Sequence, residues 1–133
     1  MKRIAIPVLF ALCLLLPAAC QRTEKRVRTV AETFLNAYYT GDYQAASACC
    51  TPDFGARVAK GARLQAELPA DVIEKMKEAV SKTSFNIVSV EVDPEGASAR
   101  VRYALQVPGL EKPVPKALHL QLEGKTARID RIE

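Results

Sequence analysis

The chain reads as an α+β domain, with N-terminal helices packed on a curved four-stranded antiparallel sheet, and three observations predict it. Apolar residues recur at helical spacing as far as about Lys82, the pattern changes to alternation from Ser84 onward, and turn residues cut the alternating part into four segments. Helices first and hairpin-connected strands afterwards is the order in which helices cover one face of a sheet.

The chain opens with Lys2 and Arg3, an apolar run from Ile4 to Leu16, and small residues before Cys20. That order is the pattern of an export signal: a basic end, a short apolar core and a cleavage site that admits a peptidase. The core is shorter than the roughly 20 apolar residues that a hydrocarbon core requires, so a permanent membrane span is disfavoured. Leu16-Pro17-Ala18-Ala19-Cys20 resembles the lipobox of bacterial lipoproteins, with Pro17 where leucine usually stands. The resemblance implies a signal peptide over residues 1–19, lipid on Cys20, and a single domain over residues 20–133 in the periplasm. An ordinary secretory signal cut after Ala19, with Cys20 a plain thiol, is the alternative. Gln21 is not the acidic residue that marks inner-membrane retention in many lipoproteins, which by resemblance favours the outer membrane.

Val27, Val30, Ala31, Phe34, Leu35 and Tyr38 mark a first amphipathic helix over roughly residues 24 to 40. Gly41 suits a left-handed cap and Asp42 an N-cap, so a second helix runs from Tyr43 to about Cys50 at a corner to the first. Thr51-Pro52 repeats the capping logic and introduces a short irregular helix broken by Gly55 and Gly61. After Pro69, the set Val72, Ile73, Met76, Ala79 and Val80 marks a further helix ending near Lys82.

In the first strand Phe85 and Ile87 have one parity and Val88, Val90 and Val92 the other, which a β-bulge reconciles. Asp93-Pro94-Glu95-Gly96 turns the chain into a second strand, where Ala97, Ala99, Val101, Tyr103, Leu105 and Val107 alternate with polar residues. The three prolines between Pro108 and Pro115 demand an unpaired loop. Leu118, Leu120 and Leu122 then alternate with His119 and Gln121 in a third strand. Glu123-Gly124-Lys125 turns again, and Ala127 and Ile129 line the core side of the last strand, with Arg128 and Asp130 outward.

The formal charge of +4 falls when Lys2 and Arg3 leave with the signal, so the mature domain is nearly neutral. Near-neutrality, export and the absence of tryptophan exclude a nucleic-acid footprint. The basic residues Arg22, Lys25, Arg26 and Arg28 follow the lipid site, where they would lie near anionic headgroups. Cys13 leaves with the signal, and Cys49 and Cys50 are adjacent. Bridging neighbours strains the ring, so two unbridged thiols are expected. The sequence contains no Gly-rich phosphate loop, no Ser or Cys triad signature and no metal-ligand cluster, so no cofactor and no metal are expected.

The run from Val30 to Ala46, a helix ending in Gly41-Asp42-Tyr43 before a second short helix, resembles the opening of nuclear transport factor 2-like domains. It is similar especially to small bacterial lipoproteins of unknown function with this cystatin-like fold. The resemblance implies a cone, three helices around a strongly bent sheet whose concave side holds a pocket, with Tyr38 and Tyr103 as candidate pocket residues. That superfamily contains isomerases, dehydratases and binding modules, so the fold alone leaves function open.

Proton-transfer chemistry would draw on Tyr38, Tyr39, Tyr43, Tyr103, Asp42, Asp53 and His119. Each also has a structural reading: Asp42 as a cap, the tyrosines as packing, and His119 on the polar parity without an obvious carboxylate partner. The other candidate surface is the polar face of the sheet, where Arg100, Arg102, His119 and Arg128 form a cationic patch for an acidic ligand or a protein partner. The expectation is a membrane-tethered, non-catalytic envelope lipoprotein that binds a protein or small ligand. An exported isomerase- or hydratase-like enzyme using the pocket is the alternative, and a structural spacer with an exposed apolar patch is a third reading.

Overall fold

The computed structural model describes residues 21–133 in full. The expected signal segment over residues 1–19 and the expected lipid-attachment residue Cys20 lie outside the residues whose side chains are described. Helix α1 spans Lys2–Tyr39, followed by α2 Tyr43–Ser47, α3 Pro52–Ala66 and α4 Ala70–Ser81. Strands β1 Ser84–Val92, β2 Ser98–Gln106, β3 Val114–Glu123 and β4 Thr126–Ile132 form one antiparallel sheet in the order β1-β2-β3-β4. Among the described residues no helix is long and apolar enough to cross a membrane.

The α1–α2 corner follows from its turn residues. Gly41 takes φ +83°, a value that L side chains rarely adopt, and the Asp42 N–H closes on the Ala37 carbonyl at 2.9 Å. Asp42 then caps α2 by accepting from the Ala45 N–H at 3.2 Å.

Helix α3 differs from expectation, because it runs unbroken through Gly55 and Gly61. The two glycines meet their neighbours differently. A Cβ on Gly55 would stand 3.1 Å from the Ser47 carbonyl oxygen, while Gly61 faces the Tyr43 ring at 3.8 Å. Thr51 makes no side-chain cap; its N–H instead donates to the Ile129 carbonyl at 2.8 Å, and the Ile129 N–H donates to the Cys49 carbonyl at 2.8 Å. These bonds stitch the segment before α3 to β4. The stitch also buries Cys50, whose thiol donates to the Ala46 carbonyl, and both Cys49 and Cys50 are free.

The parity conflict in β1 resolves as a bulge between Ile87 and Ser89. Val88 is extruded and 64% exposed, while Phe85, Ile87, Val90 and Val92 all pair with the core-facing residues Leu105, Tyr103, Val101 and Ala99 of β2. A second register shift, between His119 and Leu120 in the β3–β4 ladder, adds to the bend. The strand β3 begins at Val114, so Pro115 pairs with Ala104 instead of lying in the loop. Its missing N–H is tolerated there because β4 ends at Ile132, opposite Leu118, and leaves that flank of Pro115 without a neighbouring strand.

The core lies between the concave face of the sheet and one stripe of α1. Val27, Ala31, Phe34 and Leu35 are fully buried against Val101, Tyr103, Leu118, Leu120 and Ile129. No buried side-chain nitrogen or oxygen among the described residues lacks a partner. Helix α4 contributes no buried residue; Ile73, Met76 and Val80 are only half covered.

Candidate functional site

A pocket of about 420 Å³ opens among the helices at the end of the domain where α1, α2, α3 and α4 meet. Its walls are Tyr38 from the last turn of α1, Tyr43 from the start of α2, and one face of α3 set by Phe54, Arg57, Val58, Gly61, Leu64 and Gln65. Leu68 and Met76 complete it. Spacings of three and four residues put the α3 set on a single helix face. Gly61 leaves that face open in the middle, where a larger side chain would enter the cavity.

Tyr38 is held by its ring neighbours, stacked on Phe34 at 5.3 Å between centroids and edge-on to Tyr43 at 5.6 Å. Phe34 in turn packs edge-on against Phe54 at 6.2 Å, which ties the pocket wall to the core. Burial raises the Tyr38 hydroxyl above its ordinary value, and Tyr43 and Tyr39 add to the shift. It therefore stays a neutral hydrogen-bonding group across the physiological range. Among the lining residues the polar groups are tyrosine hydroxyls, the Gln65 amide and the Arg57 guanidinium; no carboxylate or histidine lines the cavity.

Tyr38 and Tyr103 do not share this pocket. The Tyr103 side chain is buried in the core, and its hydroxyl shares a hydrogen bond of 3.0 Å with that of Tyr39. Burial first, then that bond, pushes the Tyr103 phenol far up, while burial outweighs the opposing effect of the bond on Tyr39. Asp42 is engaged as a helix cap, and Asp53 lies exposed in the first turn of α3.

The outer face of the sheet holds the other predicted residues. Arg100 and His119 are direct cross-strand partners, and Arg128 lies opposite Gln121. The patch is not an open cationic surface, because carboxylates meet it. Arg100 binds Glu133 at 2.7 Å and Arg102 binds Glu91 at 3.4 Å. His119 does have a carboxylate partner, contrary to expectation: its Nδ1 lies 2.7 Å from Asp130 Oδ1, and the Gln121 amide donates to the other Asp130 oxygen at 3.2 Å. The β-bulge brings this about, since the shifted register leaves Asp130 without a cross-strand partner while His119 pairs with Arg131. Arg128 is exposed and lines a depression with Thr51, Gln121 and Thr126. A wider groove on this face sets Val88, Ala104, Pro113, Pro115 and Ala117 beside the charged residues Arg100, Arg102, Lys116 and Glu133, and it also reaches Tyr103.

Near the N-terminus, Arg22, Lys25 and Arg28 are exposed on α1, while Arg26 reaches the turn before β4 and donates to the Gly124 carbonyl at 3.5 Å. No group of three or more potential metal ligands occurs among the described residues. The α3 wall of the pocket was not anticipated. The spacing of Phe54, Val58, Gly61 and Gln65 carried the signal, hidden by reading the two glycines as breaks.

Fold and site together define an α+β domain with a helix-lined apolar pocket at one end and an ion-paired outer sheet face. No family profile matches the sequence, and no curated protein is similar to it. Among solved structures, an NTF2-like protein of unknown function from Cytophaga hutchinsonii ATCC 33406 is 13% identical, with a TM-score of 0.45 over 80% of this chain and 88% of its own. A protein of unknown function with a cystatin-like fold from Methylobium petroleophilum PM1 is 15% identical, with a TM-score of 0.48 over 80% of this chain and 74% of its own. A de novo β-sheet design is 17% identical at a TM-score of 0.35, over 85% and 87% of the two chains. These are likenesses of architecture and say nothing of activity.

Proposed function

We propose that this chain is a non-catalytic binding module of the bacterial cell envelope, tethered by lipid on Cys20, whose helix-lined pocket takes a small apolar ligand. The observation that carries the reading is the pocket wall itself. It is built from Tyr38, Tyr43, Phe54, Val58, Leu64, Leu68 and Met76, and its volume of about 420 Å³ lies in the range of small-molecule sites. Its polar groups can orient a ligand, but none is a base that would take a proton at neutral pH. The competing reading, an isomerase- or hydratase-like enzyme, needs such a group inside the pocket. The His119–Asp130 pair is the best-formed acid–base couple, yet it projects from the outer face of the sheet. The exposed Arg22, Lys25 and Arg28 support the tether, since they would meet anionic headgroups beside the lipid.

The test uses the full-length chain and N-phenyl-1-naphthylamine as an uncharged apolar reporter. Wild type enhances its fluorescence saturably, and Gly61→Phe, which fills the cavity, abolishes the effect. Equal binding by the two proteins removes the pocket reading. Cell fractionation with mass spectrometry of the N-terminal peptide checks the tether, which requires a lipidated Cys20 in the membrane fraction that is lost in Cys20→Ala.

A further inference from the structure

The cations on α3 carry the argument further and, resting on the pocket reading above, narrow the class of ligand. On the sheet, Arg100 and Arg102 have carboxylates within ion-pair distance, as does Arg131, 3.3 Å from Glu133. On α3 the situation is reversed. Arg57, Lys60 and Arg63 face a single acid on the same helix, Asp53 in its first turn, and none of the three has an ion-pair partner among the described residues.

Arg57 is exposed and lines the pocket, and Lys60, also exposed, lies one turn further along. The rim beside them is apolar: Leu64 is 55% and Leu68 37% exposed. Large apolar side chains next to unneutralised cations complement a molecule that is apolar along its length and negative at one end. A guanidinium offers several N–H donors in a planar fork, which suits a carboxylate or phosphate oxygen pair.

We propose that the pocket takes a single-chain apolar molecule ending in one anionic group, its body against Tyr38, Phe54, Leu64 and Met76 and its anion held by Arg57.

Calorimetric titration of the full-length chain with dodecanoate and with dodecanol, below their aggregation concentrations, tests this. Wild type binds dodecanoate at least about tenfold more tightly than dodecanol, the worth of one hydrogen-bonded ion contact. Arg57→Gln removes that preference by bringing dodecanoate affinity down to that of dodecanol, and a far-UV circular dichroism spectrum and urea midpoint matching the wild type show that the variant is folded. Gly61→Phe abolishes binding of both. Equal affinity of wild type for the two ligands, or a preference that survives Arg57→Gln, overturns the ligand class while the pocket reading stands. Binding of neither ligand, or binding that survives Gly61→Phe, overturns both.

Discussion

At the scale of single residues, burial of ionisable groups without charged partners sets how this domain answers to pH. Burial pushes the Cys50 thiol from near 9 up to about 12, with the neighbouring Cys49 adding to the shift. Burial also raises Cys49, Tyr38, Tyr39 and Tyr103. Each of these groups is neutral when protonated, so the folded state keeps protons that the unfolded chain gives up. Stability is therefore complete below the ordinary thiol value and falls as pH rises through it toward the folded-state values. The urea midpoint should hold level from pH 7 to 8 and decline between pH 9 and 11, with a shallower decline in Cys50→Ala. A midpoint that does not change across that range would refute the assignment. The cysteine pair was legible as unbridged thiols, because adjacency alone opposes a bridge. The His119–Asp130 contact was not legible, since it depends on a one-residue register shift that strand alternation does not encode.

Helix α3 shows what an element can hide. Glycine costs helix stability through backbone entropy, so two of them in fifteen residues read as breaks. The neighbouring elements override that propensity, and they do so differently at the two sites. At Gly61 a Cβ meets the Tyr43 ring at an ordinary 3.8 Å, so Gly61→Ala should stabilise the domain by about 0.5–1 kcal/mol. At Gly55 the Ser47 carbonyl oxygen stands only 3.1 Å from the same atom, so Gly55→Ala should lose that gain and end less stable than Gly61→Ala. Chemical denaturation of both variants measures the difference, and equal effects would show that the α2–α3 contact yields freely. In β1, by contrast, the parity change at Val88 announced its own bulge. Pro115 misled because a proline is excluded from a strand only where its N–H would face a partner, and where β4 stops is a tertiary fact.

For the whole molecule, the two-part layout was readable because helical and alternating periods divide the chain cleanly near Ser84. What periodicity left open is how firmly each helix is held. Helix α1 contributes Val27, Ala31, Phe34 and Leu35 to the core, whereas α4, with an equally clear apolar stripe, buries nothing and touches the pocket through Met76. Few buried contacts mean a low local opening free energy. Hydrogen exchange should find the α4 amides exchanging at least about tenfold faster than those of α1 between Ala31 and Tyr38, a difference of about 1.4 kcal/mol or more. Comparable protection in the two helices would place α4 within the cooperative core.

The bonds joining Cys49 and Thr51 to Ile129, together with the extruded Val88, bear on how the protein behaves when concentrated. A sheet of four strands has two outer strands, each a template on which another chain could add a strand. Here the chain itself occupies part of the free side of β4, and the bulge in β1 interrupts the regular spacing that an incoming strand would need. Neither side offers a long, straight row of open amides, so the same features that shape the core also guard the domain against strand-by-strand aggregation.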